Sequence, residues 1–137
     1  MNTVHISSAA QQQLKSLGVE AFYLFGSRAL GVETPRSDFD FGVLMKTTGH
    51  KRGGEIYDAL YDILSPLCER TLQNDVIDIV FLRDAPLELR AHIVRKGKVI
   101  FDESPLSRVN FEDKTIMEYC DYKPVLQMFD KAILASL

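Results

Sequence analysis

The segment "DFDFGVLM", residues 38–45, constrains the fold more than any other part of the chain. Residue types alternate along it, and successive side chains of a β-strand point to opposite faces of a sheet. The pattern predicts a strand with one large apolar face and a second face that begins with two carboxylates. The apolar face would carry Phe39, Phe41, Val43 and Met45, and the other face Asp38, Asp40, Gly42 and Leu44.

Three more apolar segments predict strands. "AFYLF", residues 21–25, is typical of a short buried strand, and "VIF", residues 99–101, predicts a short fourth strand. "VIDIVFL", residues 76–82, is apolar on both faces except at Asp78. We interpret this segment as a strand inside the sheet, and a buried carboxylate at Asp78 would then need a partner.

Helical patterns alternate with these strands. Ser8 and Gln11 have the capping-box spacing, and Gly18 can end the short helix that follows. Apolar residues recur at helical spacing over residues 56–67, which predicts an amphipathic helix ending near residues 68–70.

A third helix would be capped by Asp84, with Pro86 in its first turn. Ser104 and Pro105 would open a helical C-terminal tail that is broken near residues 121–124. This order of elements predicts an α/β (α+β) fold with a small mixed sheet flanked by helices that cover one side of it.

The size and composition favour a single soluble domain over residues 1–137, with a core at about residues 20–102 and the helical tail at about 104–137. No signal or membrane-spanning pattern is present, so we expect a cytoplasmic location. Cys68 and Cys120 lack metal-ligand spacing, and we interpret both as reduced. The net charge of −3 argues against a large nucleic-acid footprint, and we expect no direct nucleic-acid binding.

Asp38, Asp40 and Asp78 form the candidate catalytic and metal-binding set. Carboxylates two residues apart on a strand repel each other unless one is protonated or a cation lies between them. Oxygen-only ligands favour a hard cation, with Mg²⁺ as the leading candidate. If the third strand pairs next to the second, all three carboxylates converge. Two ions about 3.5 to 4 Å apart could then clamp an in-line phosphoryl displacement.

The turn before this strand supplies a candidate phosphate site. Gly26 permits close approach of the backbone, Ser27 adds a hydroxyl, and Arg28 is placed for a charge-assisted contact to phosphate. With a triphosphate held there, Asp78 is the best candidate to receive a proton from an attacking hydroxyl. The predicted reaction is attack on the α-phosphorus with pyrophosphate leaving.

Several features have a second interpretation. Asp75 is the nearest rival to Asp78, although it more plausibly caps the strand start. Lys51 and Arg52 would form either a lid over the nucleotide or a solvated loop, and the solvated loop is the preferred interpretation. The apolar residues of the tail would either cover the sheet or contribute to a partner interface, and the sequence favours neither.

The motif Gly26-Ser27, ten residues, then Asp38-Phe39-Asp40, with Asp78 on a later strand, resembles the signature of the nucleotidyltransferase superfamily that includes DNA polymerase β. The small size and the segments "GSRALG", "RSDFDFGVL" and "RKGKVIFD" resemble the minimal nucleotidyltransferases, the MNT or MntA antitoxins. Leu30 departs from the pattern, since relatives often carry arginine there.

The resemblance implies a Mg²⁺-dependent enzyme, with two ions, that uses ATP as its substrate. It implies an antitoxin in a heteromeric complex with a HEPN-domain RNase toxin, which it inactivates by transferring AMP to a tyrosine. By the same resemblance Asp38, Asp40 and Asp78 are the carboxylates, while Gly26 and Ser27 hold the triphosphate. The alternatives are a nucleotidyltransferase acting on a small molecule of the antibiotic type, and a non-catalytic antitoxin that acts by binding alone.

Overall fold

The computed structural model describes residues 5–26, 31, 39–68 and 77–136 of the chain. Within these residues the helices are α1 (Ser8–Ser16), α2 (Glu55–Leu64), α3 (Leu87–Lys96) and α4 (Pro105–Ser136). The strands are β1 (Val19–Phe25), β2 (Phe39–Met45), β3 (Ile77–Phe81) and β4 (Lys98–Asp102). Short 3-10 turns follow α2 at Ser65–Leu67 and β3 at Leu82–Asp84. The order of helices and strands predicted from the sequence is confirmed.

The four strands form one mixed sheet in the order β3-β2-β1-β4. β1 pairs antiparallel with β2 and with β4, whereas β2 and β3 are parallel. β3 therefore lies at an edge of the sheet that the described residues form, and the prediction that it lies inside is wrong. Val80 of β3 packs against the buried apolar residues around α3. Helices rather than a second neighbouring strand therefore account for the apolar character of β3.

Helices cover both faces of the sheet, so the prediction of a single covered side is wrong. α1 and α2 pack on the face that carries Phe39, Phe41, Val43 and Met45, all of which are buried. α3 and α4 pack on the opposite face, which carries Leu44. The alternation predicted for residues 39–45 is therefore confirmed, and Asp40 belongs to the face covered by α3 and α4.

The end of α1 is confirmed, but its start is not. Ser7 rather than Ser8 is the N-cap, because its hydroxyl oxygen accepts a hydrogen bond from the Ala10 N–H at 3.2 Å. The Gln11 side chain donates to the carbonyl oxygen of Ile6 at 3.0 Å, outside a capping box. Gly18 follows the last turn with φ +88°, a conformation that favours glycine and ends the helix.

Asp84 does not cap α3. Pro86 is the N-cap residue of that helix, with no side-chain capping hydrogen bond. The Asp84 carboxylate instead accepts hydrogen bonds from the backbone N–H groups of Gly49 at 2.8 Å and His50 at 3.1 Å. It therefore fixes the loop that follows β2, whose position matters for the candidate site.

The C-terminal helix α4 is continuous, and the predicted break near residues 121–124 is wrong. Pro124 lies inside the helix, where it removes one hydrogen bond to the carbonyl four residues earlier. Residues 120–124 are exposed, so water can satisfy the carbonyl that Pro124 leaves unpaired. Within the described residues, no helix combines the length and the apolar character that crossing a membrane requires.

Candidate active site

Asp40 and Asp78 lie directly beside each other on neighbouring strands. The parallel register of β2 and β3 pairs Asp40 with Asp78, and neighbouring strands are about 4.8 Å apart. Because paired residues of adjacent strands share a face, both carboxylates project from the side of the sheet that α3 and α4 cover. The predicted pairing of the third strand with the second is confirmed, and it brings together two acids that are 38 residues apart in the sequence.

Gly26 lies against the Asp40 carboxylate. It follows the last residue of β1, and the register pairs Phe25 with Asp40. Its φ of +78° belongs to the left-handed region, and a Cβ at this position would overlap Oδ2 of Asp40. A glycine is required here both by the backbone conformation and by the space the carboxylate occupies. The end of β1 and the Asp40 carboxylate thus meet at one point.

Asp78 is less buried than the sequence suggests. Its side chain is 43% exposed, because β3 lies at the sheet edge and no further described strand covers it. The interpretation of Asp78 as a buried carboxylate is therefore wrong. Its access to solvent lowers the cost of a carboxylate at this position, whereas its pairing with Asp40 is unfavourable unless a cation lies between the two.

Arg52 reaches the Asp78 carboxylate. Its Nη1 atom lies 3.7 Å from Oδ1 of Asp78, and its guanidinium is 6.0 Å from the centre of the Tyr57 ring. The Arg52 side chain is 76% exposed, so the ion pair contributes about 0–1 kcal/mol. The preferred interpretation of Lys51 and Arg52 as part of a solvated loop therefore describes the exposure of the Arg52 side chain correctly. The sequence carried no signal that this loop returns to Asp78.

A cleft with a volume of about 330 Å³ opens beside Asp78 at the outer edge of β3. The loop at residues 50–52 forms one wall, and Pro86 and Leu89 at the start of α3 form the other. We call it the β3-edge cleft. His50 stacks on Phe81 with ring centres 5.2 Å apart, so the loop wall is held both by this contact and by Asp84.

Other predicted positions fall outside the residues that the structure describes. They are Ser27, Arg28, Leu30, Asp38 and Asp75. Among the described residues no group of three His, Cys, Asp or Glu side chains is arranged as metal ligands. The predicted set of three carboxylates is not tested by this result, because Asp38 lies outside the described residues. The two placed carboxylates fit a hard divalent cation, because they offer oxygen donors on one face at neighbouring positions.

A polar network behind the site joins β1 to α4. The Tyr23 hydroxyl donates to Oε2 of Glu112 at 2.8 Å, and Arg108 donates to Glu112 and to Asp102 at 2.8 and 2.9 Å. Burial raises the pKa of the Tyr23 phenol well above its ordinary value, and the neighbouring Glu112 carboxylate raises it further. Tyr23 is therefore neutral and holds α4 against the sheet face that carries the two acids.

The sequence matches the family model described as Polymerase beta, Nucleotidyltransferase over residues 6–106, well over half of the chain. The chain belongs to this nucleotidyltransferase family. The matched region runs from the start of α1 to the first residues of α4 and includes every candidate site residue. No curated protein sequence gives a significant match.

The nucleotidyltransferase is also similar to solved structures of toxin–antitoxin complexes. It matches a chain of a toxin–antitoxin with AMP-PNP at a TM-score of 0.68 and 24% identity, covering 90% of this chain and 98% of that one. A chain of an MntA-HpeT toxin–antitoxin mutant gives a TM-score of 0.68 and 25% identity, and the match covers 90% of this chain and 93% of that one. A chain of the tri-AMPylated Shewanella oneidensis HEPN toxin in complex with MNT antitoxin gives a TM-score of 0.61 and 22% identity. That match covers 92% of this chain and 97% of that one. The predicted fold class and family resemblance are confirmed.

Proposed function

We propose that this nucleotidyltransferase is the antitoxin of a HEPN/MNT pair and transfers AMP from ATP to a tyrosine of a HEPN RNase toxin. The observation that carries the proposal is the juxtaposition of Gly26, Asp40 and Asp78 at one end of the three neighbouring strands β1, β2 and β3. The similarity to toxin–antitoxin structures that contain AMP-PNP or an AMPylated HEPN toxin supports the choice of nucleotide and acceptor.

Each site residue has a separate role in this proposal. Gly26 and Ser27 hold the triphosphate, and Arg28 adds a charge-assisted contact to it. Asp38, Asp40 and Asp78 would bind Mg²⁺, as two ions. Bound Mg²⁺ would supply charge neutralisation at the α-phosphate and orient the attacking and leaving oxygens.

The chemistry at Asp78 is a proton transfer. The acceptor phenol oxygen forms a bond to the α-phosphorus, the bond from that phosphorus to the bridging oxygen breaks, and pyrophosphate leaves with the electron pair. The phenol proton passes to a carboxylate oxygen of Asp78. The exposure of Asp78 supports this role, since an acceptor carried by another protein can reach a carboxylate at an open sheet edge.

The exposed apolar residues of α4 support a complex with a protein partner. Leu106, Met117 and Met128 are 74%, 68% and 70% exposed. Large apolar side chains grouped on one element are typical of an interaction surface. The partner in this proposal is the HEPN toxin, because the similar structures are complexes of that kind.

The test is intact-mass spectrometry of the partner toxin after incubation with this protein, Mg²⁺ and ATP. The control is Asp38→Asn combined with Asp40→Asn, which removes two oxygen ligands and relieves carboxylate repulsion, so it is expected to fold. A mass gain of one or more AMP units, absent with the control, supports the proposal.

Other outcomes identify the alternatives. Stable complex formation without any mass gain would favour an antitoxin that acts by binding alone. ATP turnover with neither mass gain nor complex formation would favour a small-molecule acceptor. A mass gain of the same size with the double variant would overturn the assignment of the metal site.

A further inference from the structure

The β3-edge cleft lies on the acceptor side of the candidate site. Gly26 follows β1, Asp40 lies on β2 and Asp78 on β3, and the sheet order places β2 between the other two. A triphosphate held at Gly26 therefore lies on one side of Asp40, and the cleft opens on the other. A group that attacks the α-phosphorus in line with the leaving pyrophosphate approaches from the cleft.

The cleft has a fixed wall that carries two exposed cations. The hydrogen bonds from Gly49 and His50 to Asp84, and the stacking of His50 on Phe81, hold the loop where Lys51 and Arg52 begin. Lys51 and Arg52 are exposed, and both line the cleft. The loop backbone is thus positioned by three contacts, while the side chains of Lys51 and Arg52 extend into solvent at the cleft.

The charge of the cleft would change if Asp78 held a cation. Arg52 pairs with Asp78 across 3.7 Å, a weak contact for a largely exposed side chain. A divalent cation on Asp78 would displace the guanidinium, because like charges repel. Arg52 and Lys51 then become available to an anion, and phosphate esters suit both types of side chain.

We propose that the β3-edge cleft binds the phosphodiester of an AMP already attached to the acceptor, with Lys51 and Arg52 as its cationic contacts. This inference rests on the proposed function, because that reaction places a phosphodiester on the acceptor. The ribose of the attached AMP then presents a hydroxyl to the next ATP. Its oxygen bonds to the α-phosphorus, pyrophosphate leaves with the electron pair, and the hydroxyl proton passes to Asp78.

The volume and the remaining lining of the cleft agree with this ligand. About 330 Å³ lies at the lower end of the range for small-molecule pockets. Val80, Pro86 and Leu89 give the cleft an apolar wall opposite the cations, and such a wall can contact the flat face of a base or a sugar. A phosphate ester with an apolar nucleoside face matches both walls.

The test measures binding of 5′-AMP to the protein loaded with Mg²⁺ and α,β-methylene-ATP, whose bridge to the α-phosphorus cannot be cleaved. Isothermal titration is carried out with the parent, with Lys51→Gln combined with Arg52→Gln, and with Arg95→Gln combined with Lys96→Gln. The last variant is a matched control, because Arg95 and Lys96 are also adjacent and exposed, and Arg95 lies 5.9 Å from a tyrosine ring.

We expect 5′-AMP to bind the loaded parent, and the Lys51/Arg52 variant to bind it at least tenfold more weakly. The Arg95/Lys96 control should stay within twofold of the parent. The proposal is overturned if 5′-AMP does not bind the loaded parent, if it only competes with α,β-methylene-ATP, or if both double variants weaken binding equally.

Intact-mass spectrometry separates this proposal from the proposed function. If the parent transfers AMP, the ratio of the second transfer rate to the first should fall at least tenfold in the Lys51/Arg52 variant. An equal fall of both rates would indicate an acidic acceptor segment in the cleft and overturn the phosphodiester assignment. A parent that transfers no AMP at all contradicts the proposed function, whereas the titration with 5′-AMP still decides the cleft.

Discussion

Replacing Gly26 with alanine tests whether the position of the Asp40 carboxylate determines the rate of transfer. The new Cβ would overlap Oδ2 of Asp40, and ordinary contact begins at 3.4 Å. The carboxylate must therefore move by about 1 Å, a displacement that can cost on the order of 100-fold in rate. That loss corresponds to about 2.7 kcal/mol of activation free energy.

Gly18→Ala is the matched control for the backbone. Gly18 has φ +88° against +78° for Gly26, lies at the opposite end of β1, and would place its Cβ 3.9 Å from the Met45 side chain. Each substitution should lower the free energy of unfolding by about 1–2 kcal/mol, because a left-handed conformation is unfavourable for alanine. Only Gly26→Ala also disturbs a carboxylate of the site.

The assay is the AMP-transfer rate to the partner as a function of Mg²⁺ concentration, with urea unfolding of both variants as the stability measurement. Gly26→Ala should transfer about 100-fold more slowly and need more Mg²⁺ for its half-maximal rate, while Gly18→Ala keeps the parental values. If both variants are equally destabilised and transfer at the same rate, contact between Gly26 and Asp40 does not position a catalytic carboxylate.

Three further predictions concern Asp78, Tyr23 and Asp84. Asp78→Asn should reduce the transfer rate by a factor on the order of 10²–10⁴ while ATP affinity changes less, and an effect on ATP affinity alone would remove Asp78 from the role of base. Tyr23→Phe should lower the free energy of unfolding by about 0.5–1.5 kcal/mol at pH 7, since the partly buried Glu112 carboxylate loses one of its donors. Tyr122→Phe, at an exposed position, should change it little. Because the pKa of Tyr23 is raised in the folded state, only the unfolded chain ionises at this tyrosine near pH 10. The free energy of unfolding of the parent should therefore fall above about pH 10. That of Tyr23→Phe should fall less over the same range. Asp84→Ala should speed amide hydrogen exchange at Gly49 and His50, which lose their acceptor, and unchanged exchange would show that the loop is held by other contacts.

The apolar character of residues 76–82 does not reveal whether the strand lies inside the sheet or at its edge. Apolar residues on both faces of a strand report that both faces are covered, here by α2 on one side and by α3 on the other. They say nothing about neighbours in the plane of the sheet, so the edge position of β3 could not be read from them. The exposure of Asp78 follows from that edge position.

Local patterns by themselves determined the strands, most of the helices, and the faces on which Phe39, Phe41 and Asp40 lie, because side-chain alternation depends only on the backbone of one strand. The motif of residues 26–40 likewise indicates the nucleotidyltransferase family, which the match to the family model confirms. Only the tertiary structure decided that Asp40 pairs with Asp78 and that the loop at Arg52 returns to Asp78. Those contacts join segments far apart in the chain, so no pattern within a single segment encodes them.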